Sequence, residues 1–213
     1  MMKVAVIGAT GFVGSAIIKE GIQRGYEITA IVRDTAKVEK AAGITALSVD
    51  VNNVDALSAA LTSHDAVISA YNPGWENPNI YADSLDGAKN IQEAVKKSGV
   101  SRFITVGGAG SLYIGESQLV DSPQFPAEWK AGATAARDYL NILRKEEELD
   151  WTFVSPAINL HPGERTGTFR LGTENPVFNA EGKNDISTAD LAVAIFDELQ
   201  NNQFIRSRFT LGY

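Results

Sequence analysis

The stretch that decides the fold is Val4-Ala5-Val6-Ile7-Gly8-Ala9-Thr10-Gly11-Phe12-Val13-Gly14. Its first four residues are apolar, as in a buried strand, and its glycines are spaced Gly-x-x-Gly-x-x-Gly where a helix would begin. Gly8 permits a tight turn, Gly11 lets the backbone approach a diphosphate, and Gly14 lets the helix lie close to the strand. The first helical turn would offer free N–H groups to the phosphates. The stretch predicts a dinucleotide-binding turn; a tight strand-to-helix turn without a ligand is the alternative.

Composition narrows the class of protein. A chain of 213 residues is predicted to form a single domain, residues 1–213. The absence of cysteine excludes disulfides, thiolate metal sites and cysteine nucleophiles. A net charge of -7 argues against a surface that binds nucleic acid. The two histidines and the scattered carboxylates show no metal-ligand spacing, so we expect no metal site.

The sequence also bears on location and partners. No apolar run reaches the roughly 20 residues that span a bilayer. Residues 1–3 lead straight into the first predicted strand, which leaves no room for a signal peptide. We therefore expect a cytoplasmic protein that acts on a small molecule and has neither a membrane nor a nucleic acid as partner. The sequence is compatible with a monomer and with a homodimer.

Apolar segments rich in β-branched residues alternate along the chain with amphipathic segments. This alternation predicts the α/β class, with a Rossmann-type, doubly wound parallel sheet covered by helices on both faces. We expect residues from about 156 to 186 to form a small irregular region on the substrate side. The predicted strands cover 4–7, 26–32, 45–49, 65–70, 102–106, 151–155 and 208–211, and the predicted longer helices cover about 12–24, 52–61, 79–97, 127–148 and 187–200.

Three local features concern helix ends and loops. Asn52 is the predicted cap of the helix that ends near residue 61, and Ser187 opens a capping box before the last helix. Residues 146–148 are three glutamates near the end of a predicted helix, where acids oppose the helix dipole, so we expect a solvated face. Glu164 and Arg165 are candidates for a gate ion pair, and the alternative is that they contribute nothing measurable.

In an open parallel sheet the ligand binds outside the carboxyl ends of the strands. This rule gathers the loops that follow the predicted strands into one site. The predicted cofactor-binding residues are Gly8, Thr10, Gly11, Phe12, Val13, Arg33, Asp50, Val51, Ala70, Tyr71, Gly107 and Gly108.

The residue after the second predicted strand bears on the choice of cofactor. An acid at the end of that strand would hold the ribose hydroxyls of NAD, but the strand ends in Val32 and Arg33 follows. A guanidinium pairs well with a 2′-phosphate, so we favour NADP(H) over NAD(H). The alternative is that Arg33 is a surface charge and Asp34 binds the ribose. Asp50 would accept from the adenine amine, with a helix-approach cap as its alternative.

These residues, together with the loop of residues 107–111, resemble the short-chain dehydrogenase/reductase superfamily. Three stretches are more closely similar to its atypical NAD(P)H-binding branch, which includes NmrA-like proteins, biliverdin reductase B and proteins named as NADH-flavin reductases. The resemblance covers nearly the whole chain and implies a Rossmann fold and nicotinamide binding. The three stretches are residues 107–113, 150–157 and 162–167.

One departure from the superfamily concerns its Tyr-x-x-x-Lys pair, whose lysine lowers the pKa of the tyrosine for proton exchange with a carbonyl. The matching helix reads Trp129-Lys130-Ala131-Gly132-Ala133, with no tyrosine and no lysine four residues on. Tyr139 is followed by Leu140-Asn141-Ile142-Leu143 and does not restore the motif. The sequence therefore disfavours an ordinary alcohol dehydrogenase.

Hydride transfer to a flavin or quinone needs no protein acid of tuned pKa. The sequence therefore favours an NAD(P)H-dependent oxidoreductase that reduces FMN, FAD, a quinone or a similar flat acceptor. A non-catalytic NADP(H)-sensing regulator of the NmrA-like kind is the alternative, and a sugar-nucleotide epimerase or dehydratase is a weaker one.

Four residues are candidates for the reaction itself. Ser111 would donate a hydrogen bond to cofactor or substrate, and Tyr113 would stack on a flat acceptor or supply a proton. Their alternatives are a loop hydroxyl bonded to the backbone and a packed loop aromatic. Trp129 and His161 are candidates for contacting substrate, and a lone loop histidine is also common as plain polar surface.

Overall fold

The computed structural model describes residues 2–213 and contains one eight-stranded sheet at its centre. Neighbouring strands are parallel, except that β10 is antiparallel to β12. In chain order, the sheet strands are β1 (Lys3–Ile7), β2 (Glu27–Val32), β3 (Ile44–Ser48), β4 (Ala66–Ser69), β5 (Arg102–Val106), β8 (Asp150–Ser155), β10 (Arg170–Gly172) and β12 (Ser207–Gly212). Their spatial order is β3-β2-β1-β4-β5-β8-β12-β10. The chain reverses direction across the sheet between β3 and β4, which places the switch point beside β1.

Two small ribbons stand apart from the main sheet. One is an antiparallel hairpin, and the other is a parallel pair that joins two distant parts of the chain. The hairpin strands are β6 (Tyr113–Ile114) and β7 (Ser117–Gln118), and the parallel strands are β9 (Asn159–His161) and β11 (Asp185–Ser187).

Five helices cover the two faces of the sheet. The packing of α1 (Gly14–Gln23) on α5 (Thr188–Asn201) covers one face, and α3 (Ile80–Ser98) packs between α2 (Val54–Leu61) and α4 (Ala127–Leu143) on the other. Alternate residues of β1 belong to different cores, since Val4 and Val6 face one cluster and Ala5 and Ile7 the other. The predicted doubly wound α/β fold is therefore confirmed.

Two helix ends differ from the prediction. The cap of α2 is Asn53, whose side chain accepts from the Ala56 N–H at 3.0 Å, and not Asn52. Helix α4 ends at Leu143, so the glutamates that follow do not continue it. The Glu146 side chain turns inward, pairs with Lys96 at 3.3 Å and accepts from the Glu148 N–H at 2.7 Å. Only Glu147 and Glu148 therefore form the expected solvated face.

Residues 162–168 form a strap across the outside of α1 and α5. Glu20 of α1 is buried and accepts from Arg165 at 2.7 and 2.9 Å, as well as from Arg24. Burial acts to raise the pKa of the Glu20 carboxyl, but the bonds from both arginines outweigh it and hold that pKa below its ordinary value. The expected pair of Glu164 with Arg165 is not formed, because Arg165 neutralises the buried Glu20 instead.

The strap is fixed a second time by Asp190, which lies fully buried at the start of α5. Its carboxylate accepts from the backbone N–H groups of Thr166 and Gly167 at 2.9 and 2.7 Å, and from the Tyr213 hydroxyl at 2.7 Å. The Ser187 hydroxyl accepts from the Asp190 N–H at 3.0 Å and so caps α5, as predicted. The Ser187 N–H donates to the Tyr213 hydroxyl at 3.2 Å and not to Asp190, so the reciprocal half of the predicted capping box is not formed. The region expected to be irregular is therefore closely tied to the helices beneath it.

Candidate functional site

The loops at the carboxyl ends of the sheet strands enclose a cleft with a volume of about 1170 Å³. The structure brings the twelve predicted cofactor-binding residues and Trp129 together in its lining. A smaller depression of about 330 Å³ is lined by residues between Thr35 and Ala46 and shares none of these residues. The cleft residues are Gly8, Thr10, Gly11, Phe12, Val13, Arg33, Asp50, Val51, Ala70, Tyr71, Gly107, Gly108 and Trp129.

The glycine turn after β1 depends on the absence of side chains. Gly8 has a φ of +75°, and a Cβ there would lie 2.6 Å from the carbonyl oxygen of Ala70. A Cβ at Gly14 would overlap the Gly8 carbonyl group and lie 2.9 Å from the Cα of Ala9. Substitution at either glycine would therefore force the backbone of the turn apart.

The same turn leaves hydrogen-bond donors unused. The Gly11 N–H donates to the Gly8 carbonyl at 3.0 Å, and the Ser15 N–H donates to Gly11 at 3.0 Å. Within residues 2–213, the N–H groups of Thr10, Phe12 and Val13 have no acceptor. Three free donors at the start of a helix suit the oxygens of a diphosphate, so the turn fits the group for which its sequence is typical.

Arg33 and Asp34 behave differently at the end of β2. Asp34 accepts from the Ala36 N–H at 3.0 Å and so caps the short turn that follows. The Arg33 side chain lines the cleft and forms no ion pair or hydrogen bond with the described residues 2–213. The arrangement leaves the guanidinium free for an anion in the cleft and occupies one oxygen of the Asp34 carboxylate.

Asp50 and Tyr71 form the neighbouring wall. Asp50 accepts from the Asn52 N–H at 2.9 Å in the turn before α2, close to its alternative role as a helix-approach cap, and it also lines the cleft. The Tyr71 ring packs on the bare backbone of Gly87, where a Cβ would lie 2.7 Å from its Cζ. Its hydroxyl donates to the Asp83 carbonyl at 3.2 Å, and burial raises the pKa of the phenol.

The far end of the cleft is built from residues between Val106 and Leu160. None of the described residues that line this part carries a titratable side chain. Trp129 contributes a half-exposed indole at the start of α4. Tyr139, further along α4, is fully buried with no partner for its hydroxyl among the described residues, and burial raises its pKa. The structure therefore offers no tyrosine or lysine for proton exchange at this end of the cleft.

Ser111, Tyr113 and His161 do not line the cleft. The Ser111 hydroxyl is 1% exposed and accepts from Arg208 Nη1 at 2.9 Å, because the buried guanidinium needs acceptors. The backbone N–H of Tyr113 donates to Glu174 at 2.8 Å. His161 Nδ1 lies 2.9 Å from the Pro162 carbonyl oxygen, beside the strap. The structure therefore does not bring these three candidates together with Trp129.

Arg208 joins two segments around the far end of the cleft. Its guanidinium is 1% exposed, bonds to Ser111 and pairs with the Glu174 carboxylate. Arg144 pairs with the same carboxylate at 3.1 Å. These contacts hold the chain from Gly107 to Ser111 against residues 174–175, so their role is to fix the loop backbone.

Sequence reasoning missed Trp75 and Gly132. Trp75 lies in the loop after β4 and lines the cleft with its side chain 55% exposed. Its indole packs on Gly132 of α4, where a Cβ would lie 2.8 Å from the indole Cζ3. The rule that loops after the strands gather at one edge could have found Trp75, whereas nothing in the sequence pairs it with Gly132.

A sequence model of the NAD(P)H-binding family matches residues 8–202. The chain belongs to this NAD(P)H-binding family. The resemblance to the atypical NAD(P)H-binding branch of the short-chain dehydrogenase/reductases is thereby confirmed. The uncharacterized protein YwnB of Bacillus subtilis is 37% identical over 216 residues, which cover 99% of this chain and 98% of YwnB.

Solved structures from two bacteria have the same fold. One is the "putative epimerase" of Bacteroides thetaiotaomicron, with a TM-score of 0.93, 41% identity and coverage of 100% of this chain and 97% of that one. Another is the "putative NADH-flavin reductase" of Streptococcus pneumoniae, with a TM-score of 0.87, 38% identity and coverage of 100% and 99%.

Across residues 2–213, no helix combines the length and the apolar character needed to cross a bilayer. In the same part of the chain, no group of three or more histidine, aspartate or glutamate side chains is placed to hold a metal ion.

Proposed function

We propose that this protein is an NADP(H)-dependent reductase that transfers hydride to a flavin, a quinone or a similar flat acceptor. The observation that carries the proposal is the contrast between two parts of one cleft. One end supplies free N–H groups and an unpaired guanidinium, whereas none of the described lining residues between Val106 and Leu160 carries a titratable side chain.

The first end suits the phosphates of the cofactor. The N–H groups of Thr10, Phe12 and Val13 would bind the diphosphate, and Gly11 leaves room for its approach. Arg33 would pair with a 2′-phosphate, which supports NADP(H) over NAD(H) because Asp34 already caps the next turn.

The second end suits the reacting rings. When bound, the nicotinamide supplies a hydride, which is two electrons and one proton, and is left as NADP⁺. A flavin or quinone takes its second proton from water, so the chain needs only to hold the acceptor flat and close. The loop at Gly107 and Gly108 and the loop from Pro156 to Leu160 would provide these walls, with Trp129 beside them.

The decisive experiment follows the absorbance of NADPH and of NADH with FMN, FAD, riboflavin and a soluble quinone. We expect turnover with at least one acceptor and a higher kcat/KM with NADPH. Arg33→Ala should remove the preference for NADPH, while Lys19→Ala on the outer part of α1 serves as a charge-matched control. The absence of turnover with every acceptor would refute a reductase, and tight NADPH binding in that case would favour the sensing role.

A further inference from the structure

The loop between β4 and α3 is held in one shape by its own side chains. Asn72 Oδ1 accepts from the Gly74 N–H at 2.7 Å, and Asn77 Oδ1 accepts from the Asn79 N–H at 2.8 Å. The Asn77 side chain also donates to the Asp83 carboxylate of α3 at 2.8 Å. Trp75 lies between these hydrogen-bonded turns, so its backbone is fixed before any ligand binds.

The indole of Trp75 is seated on the opposite wall of the cleft. Its edge packs on Gly132, three residues after Trp129 and therefore close to it on α4. Trp75 is 55% exposed and Trp129 is 52% exposed, and both line the same cleft. Two half-exposed indoles close together at one cleft wall form a contiguous apolar surface, which suits a flat ring.

The charged residues that line the cleft beside the Trp75 loop are acidic. Asp83 and Asp86 of α3 line the cleft, and Asp83 accepts from Asn77 of that loop. Among the described lining residues, Arg33 is the one cation, and the proposed function assigns it to the 2′-phosphate of the cofactor. A phosphate attached to the acceptor would therefore meet Asp83 and Asp86 with no further cation among the described lining residues.

We propose that Trp75 selects the acceptor and that this acceptor is an uncharged planar ring, of the quinone or unphosphorylated isoalloxazine type. This inference rests on the proposed reductase function. In this proposal the Trp75 indole covers the ring of the acceptor, and Asp83 and Asp86 repel the phosphate of phosphorylated flavins.

Riboflavin and FMN test the charge component, because they share one ring and differ by a phosphate of about two negative charges. Equilibrium dialysis with the NADP⁺-saturated protein should give a Kd for FMN at least about threefold higher than that for riboflavin at low salt. Raising the salt concentration should narrow the difference, because exposed charges are then screened. Equal or tighter binding of FMN would overturn the assignment of charge.

Variants test the indole itself. Trp75→Ala should weaken riboflavin binding roughly fivefold to tenfold, and Trp75→Phe should recover part of the loss. Gly132→Ala should produce a similar loss without removing the indole, because the new methyl group displaces its seat while alanine favours the helix. Phe178→Ala, an exposed aromatic outside the cleft, is the matched control and should leave the Kd unchanged.

The two proposals fail in different ways. Dialysis measures acceptor binding without turnover. An inactive protein that binds riboflavin through Trp75 would therefore refute the proposed reductase function but support the role of Trp75 in binding the ring. An active enzyme whose riboflavin Kd and KM are the same in wild type, Trp75→Ala and Gly132→Ala would refute the role of Trp75.

Discussion

Replacing Gly14 by alanine tests whether the turn after β1 depends on close backbone packing. A Cβ at this position would lie 2.8 Å from the Gly8 carbonyl carbon and 2.9 Å from the Ala9 Cα. Carbon atoms pack best at about 3.5 to 4.0 Å, so the backbone must open by roughly 0.7 Å or more. Overpacking of this kind costs about 1 to 3 kcal/mol of unfolding free energy.

Alanine also favours helix formation, by at most about 1 kcal/mol relative to glycine. Because the clash is with the backbone carbonyl group of Gly8, the overpacking cost falls in the upper part of its range. The net loss is therefore about 1 to 3 kcal/mol, which for a chain of this size lowers Tm by roughly 2 to 12 °C. Thermal unfolding followed by circular dichroism measures this shift. Calorimetry with NADPH should show, in the same variant, a loss of affinity, because the free N–H groups move with the turn.

Gly11→Ala is the matched comparison. Its Cβ would lie 3.2 Å from the Gly8 carbonyl oxygen, so a shift of a few tenths of an ångström accommodates it. We expect a Tm close to that of the wild type but at least about tenfold weaker NADPH binding, because the methyl group stands where the diphosphate approaches. A Gly14→Ala protein that melts at or above the wild-type temperature would show that helix propensity outweighs packing here and would refute the reasoning.

Three further outcomes are expected. Ser111→Ala should lower the unfolding free energy by about 1.5 to 3 kcal/mol in urea titrations, because it removes a hydrogen-bond acceptor from the buried Arg208. The Kd of NADPH should stay unchanged. A large loss of kcat with normal stability would instead indicate that Ser111 is a catalytic residue. Burial acts to raise the pKa of Asp190, but hydrogen bonds from Thr166, Gly167 and Tyr213 outweigh it and hold that pKa low. Its contribution is therefore present above the unfolded-state pKa and lost as pH falls through the folded-state pKa, so urea curves at neutral and strongly acidic pH should show Asp190→Asn less acid-sensitive than the wild type. The kcat with a quinone should stay within about twofold between about pH 6 and 8, because none of the described lining residues between Val106 and Leu160 carries a titratable side chain. A sigmoidal step in kcat in this pH range would reveal an unassigned acid.

Features set by local geometry were predictable from the sequence. The glycine spacing before α1 and the apolar strands fix the order of elements, and the rule for parallel sheets then places Gly8, Arg33 and Gly107 at one edge. The cap of α2 was displaced by one residue because Asn52 and Asn53 are chemically identical and only the approach of the chain distinguishes them.

Features set by distant partners were not predictable. The sequence around Ser111 predicts an active-site hydroxyl, but in the structure this hydroxyl accepts a hydrogen bond from Arg208, 97 residues away. Arg165 reads as the partner of its neighbour, but the buried Glu20, 145 residues away, takes its charge. The seat of Trp75 on Gly132 likewise depends on a contact between two segments that no local pattern links.

The guanidinium of Arg208 has a consequence for engineering this scaffold. The guanidinium bonds to both Ser111 and Glu174, so the two segments that contain these residues are held together. A loop graft from a relative that replaces residues 107–122 alone, without a serine at position 111, would deprive the buried Arg208 guanidinium of its hydroxyl acceptor and leave Glu174 as its only side-chain partner among the described residues. Transplants that carry positions 111, 174 and 208 together should remain soluble and keep their shape, whereas single-segment chimaeras should aggregate.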